Sequence, residues 1–118
     1  MRRFVLALAL LVGGCATVDP SLTPVEQGRQ LYDRYCAECH GPRGIGTQEG
    51  PSLLDPRYFA DQTDDTAFLV ATTEGVEATD TRFDGMAPIP AVSHSEVARI
   101  TLYIRELQRA ETGPPAGG

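Results

Sequence analysis

The chain has no lysine: all ten of its basic residues are arginines, set against sixteen Asp and Glu for a net charge of −6. A nucleic-acid binder needs a basic stripe that displaces counterions from phosphates, and scattered arginines in an acidic chain do not provide one. The composition therefore argues against nucleic acid as a partner. Long hydrophobic runs are also missing, since the one apolar stretch, residues 4–12, is roughly half of the ~20 residues that a spanning helix needs. No alternating strand pattern of any length and no internal repeat is present. Histidine and methionine are scarce, with two of each, and there are three cysteines. A chain of 118 residues, 42% hydrophobic and 22% charged, reads as one small globular module, neither wholly disordered nor polytopic.

What is present begins with a processing signal. Arg2 and Arg3 precede the apolar run, and Gly13, Gly14 and Cys15 follow it, so residues 1–14 read as a secretory signal and not as a fold element. The stretch Leu11-Val12-Gly13-Gly14-Cys15 resembles a bacterial lipobox. That resemblance implies that Cys15 becomes the acylated first residue of the mature chain, held in a membrane by acyl chains that contribute ~0.8 kcal/mol per buried methylene. Ordinary secretion with a free Cys15 is the alternative. Ala16 stands where an aspartate is associated with inner-membrane retention in some bacteria, which leans the sorting toward the outer membrane. The expected location is periplasmic, lipid-anchored to a bacterial membrane.

Residues 15–23 carry little to bury and read as the lipidated cysteine and a polar tether. Residues 111–118 have no periodicity and read as a flexible tail. Between them, residues 24–110 form the domain, small enough that a cofactor, metal or disulfide is expected to supplement its apolar core. Loss of residues 1–14 leaves eight arginines against sixteen carboxylates, a surface suited to partners with basic patches.

The domain reads as all-α. Thr23 can cap a helix, Pro24 suits its first position and Glu26 completes a capping box, with Val25, Gly28, Leu31, Tyr32 and Tyr35 following helical spacing into Cys36. A last helix starts with a second box, Ser93 and Glu96, and buries Val97, Ile100, Tyr103, Ile104 and Leu107. Two shorter helices are expected between them. One has Asp55 as its cap and Pro56 first, running through Tyr58 and Phe59. The other starts near Thr63, with an apolar side of Phe68, Leu69 and Thr72 and an end at Gly75.

Cys36-Ala37-Glu38-Cys39-His40 is the informative constellation, because Cys-x-x-Cys-His is the pattern of c-type haem attachment. Two thiols three positions apart can add to the two vinyl groups on one porphyrin edge, and the adjacent His40 then falls under the iron. Three other readings exist. Structural zinc needs four ligands, and with Cys15 assigned to lipid only His94 remains as an obvious further donor. A redox dithiol wants a strand before the motif, and a Cys36–Cys39 disulfide would close a tiny loop and leave His40 unexplained. A haem iron held by one histidine is either open or closed by a second side chain. Met86, in a Gly/Pro-rich loop where Gly85 would permit close approach to the macrocycle and Pro88 and Pro90 stiffen the chain, is the candidate. His94, at the start of the last helix, reads as a surface histidine.

These residues resemble the class I cytochromes c, small single-haem electron carriers, over nearly the whole domain from Val25 to Leu107. Gly28-Arg29-Gln30-Leu31-Tyr32 and the motif at 36–41 are similar to the family's first helix and haem site, Gly50-Pro51-Ser52-Leu53 to its Gly-Pro-x-Leu segment, and Gly85-Met86 to its distal loop. The resemblance implies a fold of about four helices around one covalently bound haem c, with Pro51 accepting a hydrogen bond from His40 and with Gly28 and Tyr32 meeting Tyr103 where the first and last helices cross. It also implies a carrier of single electrons with His40/Met86 ligation, not an enzyme, meeting redox partners at an exposed haem edge. A subunit of a larger dehydrogenase or oxidase, and an open-site haem enzyme or gas sensor, are the alternatives. Ala87 intervenes where the family often has proline directly after the ligand methionine, and the family's lysines around the haem edge are missing. Arg57 and Tyr58 are candidates for the propionates by position alone.

Overall fold

Thr23 starts the first helix by closing the box its spacing predicts. In the computed structural model, which describes residues 17–79 and 81–113, the Thr23 hydroxyl accepts from the Glu26 N–H while the Glu26 carboxylate accepts from the Thr23 N–H. Helix α1 spans Pro24–Tyr35. Cys36 follows as a hinge, and α2 is a single turn, Ala37–His40. Two 3-10 turns come next, Pro42–Gly44 and Pro56–Tyr58, the second capped by the Asp55 carboxylate as expected. Helix α3, Thr66–Glu74, ends at Gly75, and Asp64 supplies the carboxylate that receives the Thr66 N–H. Helix α4 spans His94–Thr112 with Ser93 and Glu96 in the second capping box, so it runs past Ala110 into the segment read as tail.

The fold is all-α. Among the described residues the β structure is one isolated antiparallel bridge, Val76 with Met86. Its core is small: Leu31, Tyr32, Leu53, Val92, Val97, Ile100, Tyr103 and Ile104. Helices α1 and α4 cross at Gly28, where a β-carbon would overlap the Arg99 carbonyl and crowd the Tyr103 Cβ. One turn on, the Tyr32 and Tyr103 rings meet edge to face with centroids 5.4 Å apart.

Two features depart from the linear pattern. The buried face of α4 includes Thr101, Arg105 and Gln108 beside the expected apolar residues, while Leu107 is only half-buried. Residues 17–23 lie against α1: Val18 packs on the core, and the Gln27 amide donates to the carbonyls of Asp19 and Leu22 at 3.1 Å each. Residues 1–14 and Cys15 lie outside the described residues. None of the described helices is long and apolar enough to cross a membrane.

Candidate functional site

The turn between α1 and α2 sets the two cysteines. The Cys36 N–H still bonds to Tyr32 O at 2.8 Å, closing α1, while Cys36 O accepts from the N–H groups of Cys39 at 3.3 Å and His40 at 2.9 Å. Cys36 is half-buried and Cys39 exposed, both as free thiols. Burial pushes the Cys36 thiol up to about 12, with the neighbouring Cys39 adding to the effect. A redox dithiol is favoured by a thiolate of lowered pKa, and burial acts on Cys36 in the opposite direction. Among the described residues no three His, Cys, Asp or Glu side chains converge as a metal cluster, whereas structural zinc needs four ligands.

His40 is half-buried, and its Nδ1 lies 2.9 Å from the Pro51 carbonyl oxygen. A carbonyl only accepts, so Nδ1 carries the proton, and Nε2 of the neutral ring keeps a lone pair. This is the state in which imidazole binds a metal through Nε2.

The chain between His40 and Pro51 is fastened at many points. Gly46 N–H donates to His40 O at 2.6 Å and Thr47 N–H to Gly50 O at 3.0 Å, while the Thr47 hydroxyl bonds to Cys39 O. A β-carbon on Gly50 would stand 2.8 Å from Cys39 O, so a side chain there would push Pro51 away from the motif. Tyr32 adds a tie from the helix crossing, its buried hydroxyl donating to Gly41 O at 2.6 Å. Burial raises the phenol's pKa, so it remains a donor at any physiological pH.

Met86 is half-buried and pinned by its backbone. It exchanges two hydrogen bonds with Val76, both 2.8 Å, and Ile89 N–H donates to Thr72 O at 2.8 Å. The loop thus lies on the carboxyl end of α3. Gly85, at φ +89°, is needed for backbone contact with Val76 O, 2.5 Å from where its β-carbon would be. Gly85 thus lets two chain segments approach each other closely.

Large apolar side chains remain uncovered near these elements. Ile45, five residues beyond His40, is 59% exposed, and Val76, bridged to Met86, is 48% exposed. Two free thiols, an imidazole with a free Nε2 and uncovered apolar surface fit an apolar macrocycle carrying an iron. His94 is exposed at the first position of α4. Arg57 pairs with Asp55 at 3.0 Å, and the Tyr58 carbonyl accepts from Arg105 and Gln108. Sequence reasoning missed Arg105 and Gln108. Their only signal is that they share the buried face of α4 with Ile104 and Ile100.

An all-α domain whose first and last helices cross at Gly28, with a Cys-x-x-Cys-His turn closing the first, has the arrangement of a haem-attaching protein. The family model described as Cytochrome c matches residues 25–108, and the chain belongs to the cytochrome c family. The family's cofactor is haem c, covalently attached, with one per chain typical of a domain this small, and its function is haem-based electron transfer. Its members are typically carriers and not enzymes, and their domains are usually extracytoplasmic. Comparison with curated proteins gives no match.

Proposed function

We propose that the protein carries single electrons through a haem c that Cys36 and Cys39 attach and that His40 and Met86 ligate, tethered by lipid on Cys15 at the periplasmic side of a bacterial membrane. The observation that carries this reading is the 2.9 Å approach of His40 Nδ1 to the Pro51 carbonyl, which leaves Nε2 free for a metal. The iron supplies the one-electron couple.

The chain's own residues do the rest. The Cys36 and Cys39 thiols would hold the haem covalently, each by addition of S–H across one vinyl group, the sulfur bonding to one carbon and the hydrogen to the other. Pro51 holds the His40 ring in orientation and raises its basicity. Met86 offers a thioether that does not titrate, on a backbone pinned to Val76. His40 and Met86 would together hold the iron of such a haem, and two protein ligands retained in both redox states would keep reorganisation small. Redox partners would meet the haem edge through a small, transient interface, with basic patches facing this acidic chain.

The tether is short in this reading. Val18, three residues after Cys15, already packs on the core, so the slack is about 10 Å at ~3.5 Å per extended residue.

The test is the optical spectrum of protein matured in a host that attaches c-type haem, oxidised and reduced, with and without carbon monoxide. A low-spin spectrum with the weak long-wavelength band of sulfur-to-ferric charge transfer, insensitive to carbon monoxide, is expected. A high-spin or carbon-monoxide-binding spectrum refutes Met86 ligation, and a colourless protein refutes the cofactor assignment. Cys15→Ser should move the protein from membranes to the soluble fraction; retention would refute the lipid anchor.

A further inference from the structure

Arg105 and Gln108 form a buried polar pair on α4 that the electron-carrier reading leaves without a role. They are 7% and 4% exposed. A guanidinium can only donate. Arg105 donates to Asp65 Oδ1 at 2.8 Å, to the carbonyls of Tyr58 and Thr63, and to Gln108 Oε1 at 2.7 Å. That last bond decides which way the Gln108 amide points. Its oxygen faces Arg105, so its nitrogen donates to Leu53 O at 2.9 Å and to Tyr58 O at 3.1 Å.

Leu53 is two residues beyond Pro51. Its own N–H donates to Gly44 O at 2.8 Å, and the Ser52 hydroxyl reaches the same carbonyl at 3.1 Å. Leu53 is therefore held at both ends, its N–H by the loop that follows His40 and its carbonyl by α4. Only Ser52 separates this anchor from the Pro51 carbonyl that receives the His40 Nδ1–H. By contrast, the buried Thr101 hydroxyl on α4 bonds within its own helix, to Val97 O.

We propose that Gln108, oriented by Arg105, is a positioning residue for the His40 ring: it anchors Leu53, and so the Pro51 carbonyl, and thereby sets the reduction potential of the bound haem. The proposal rests on the reading of His40 as iron ligand. A hydrogen bond from Nδ1–H gives imidazole part of the character of an imidazolate, which favours the ferric ion over the ferrous one and lowers the potential. Slack at Leu53 weakens that bond and raises the potential.

The test is a redox titration of the Gln108→Met holoprotein, with the His40 Nδ1 proton followed by NMR in the reduced, diamagnetic state. Methionine keeps the length of the side chain and removes the amide. The reduced-to-oxidised ratio at a fixed solution potential is expected to rise about threefold or more, which is ~30 mV at the 59 mV per decade of a one-electron couple. The Nδ1 proton should exchange faster. Gln108→Asn keeps the amide but is one methylene short; it should shift both readouts less in the same direction, and it carries the test if the methionine variant does not retain haem. Val97→Ala loosens the same helix about three turns before Gln108 without touching the Gln108 amide, and should lower the thermal midpoint while leaving the potential unchanged. Gln108 variants with wild-type potential and exchange would overturn the proposal, as would an equal shift in Val97→Ala. A wild-type holoprotein whose spectrum shows no iron-bound His40 refutes the ligand reading first, and this proposal with it.

Discussion

Gly75 and Met86 are so close that a β-carbon on Gly75 would stand 2.5 Å from the Met86 carbonyl oxygen. Gly75 also ends α3 at φ +80°, ψ −177°, a conformation that is nearly confined to glycine and costs another residue about 1–3 kcal/mol. Both facts make the position of Met86 depend on the end of α3. Met86→Ala should open the iron fully to carbon monoxide in the ferrous state. Gly75→Ala should do so in part, with a weakened sulfur-to-iron band, because the loop must shift although the thioether is still present. Carbon monoxide difference spectra check both, and unchanged spectra in Met86→Ala would remove that residue from the ligand set.

The crossing at Gly28 sets two effects in opposition. Alanine gains about 1 kcal/mol over glycine inside a helix, whereas overpacking a tight contact costs about 1–3 kcal/mol. Here the obstacle is the Arg99 backbone carbonyl, which cannot rotate away. Gly28→Ala is therefore expected to lower the denaturation midpoint, and Gly28→Val to lower it further. A gain in stability from Gly28→Ala would mean that the helices part without cost.

Arg105 tests burial against exposure. Arg105→Met would strip donors from the carbonyls of Tyr58 and Thr63, a loss of about 1–3 kcal/mol, while Asp65, 67% exposed, stays solvated. Arg109 pairs with Glu106 on the surface, both more than half exposed, and Arg109→Ala should change stability by less than about 1 kcal/mol. Chemical denaturation of the two variants side by side measures the contrast.

Acid should destabilise the fold through its caps. The Glu26 carboxylate is held below its ordinary value of 4.5 by hydrogen bonds from the Thr23 N–H and hydroxyl, and Asp64 below 3.8 by those of Thr66. A carboxylate whose pKa is lower folded than unfolded contributes stability that is full above the unfolded value and is lost as pH falls through the folded one. The thermal midpoint should therefore be flat from pH 7 to about 5 and fall below about pH 4.5. Both groups are exposed, so the effect is screened by salt. Glu26→Gln should lower the midpoint at neutral pH and shrink the fall in acid.

Much of the site is readable from residue order because the chemistry is local. The partners in the capping boxes at Thr23 and Ser93 stand three positions apart, and so do the two thiols that precede His40. Their spacing is the interaction itself, and the apolar faces of α1 and α4 follow from the helical repeat. The resemblance to cytochromes c placed Pro51 against His40 and Gly28 against Tyr103, which are contacts that spacing alone does not reveal.

Arg105 and Gln108 could not be found that way. In the sequence they are polar residues on a helix, where the default is solvent. Their partners Asp65 and Leu53 lie 40 and 55 residues away, and a polar side chain is buried only where distant segments bring acceptors to it. The same holds for the contact of Gly85 with the Val76 carbonyl, which leaves no room for a side chain there. Local order specifies which atoms can react; which backbone carbonyl stands beside which donor depends on how the helices pack, because burial and hydrogen bonding are satisfied jointly by segments far apart in the chain.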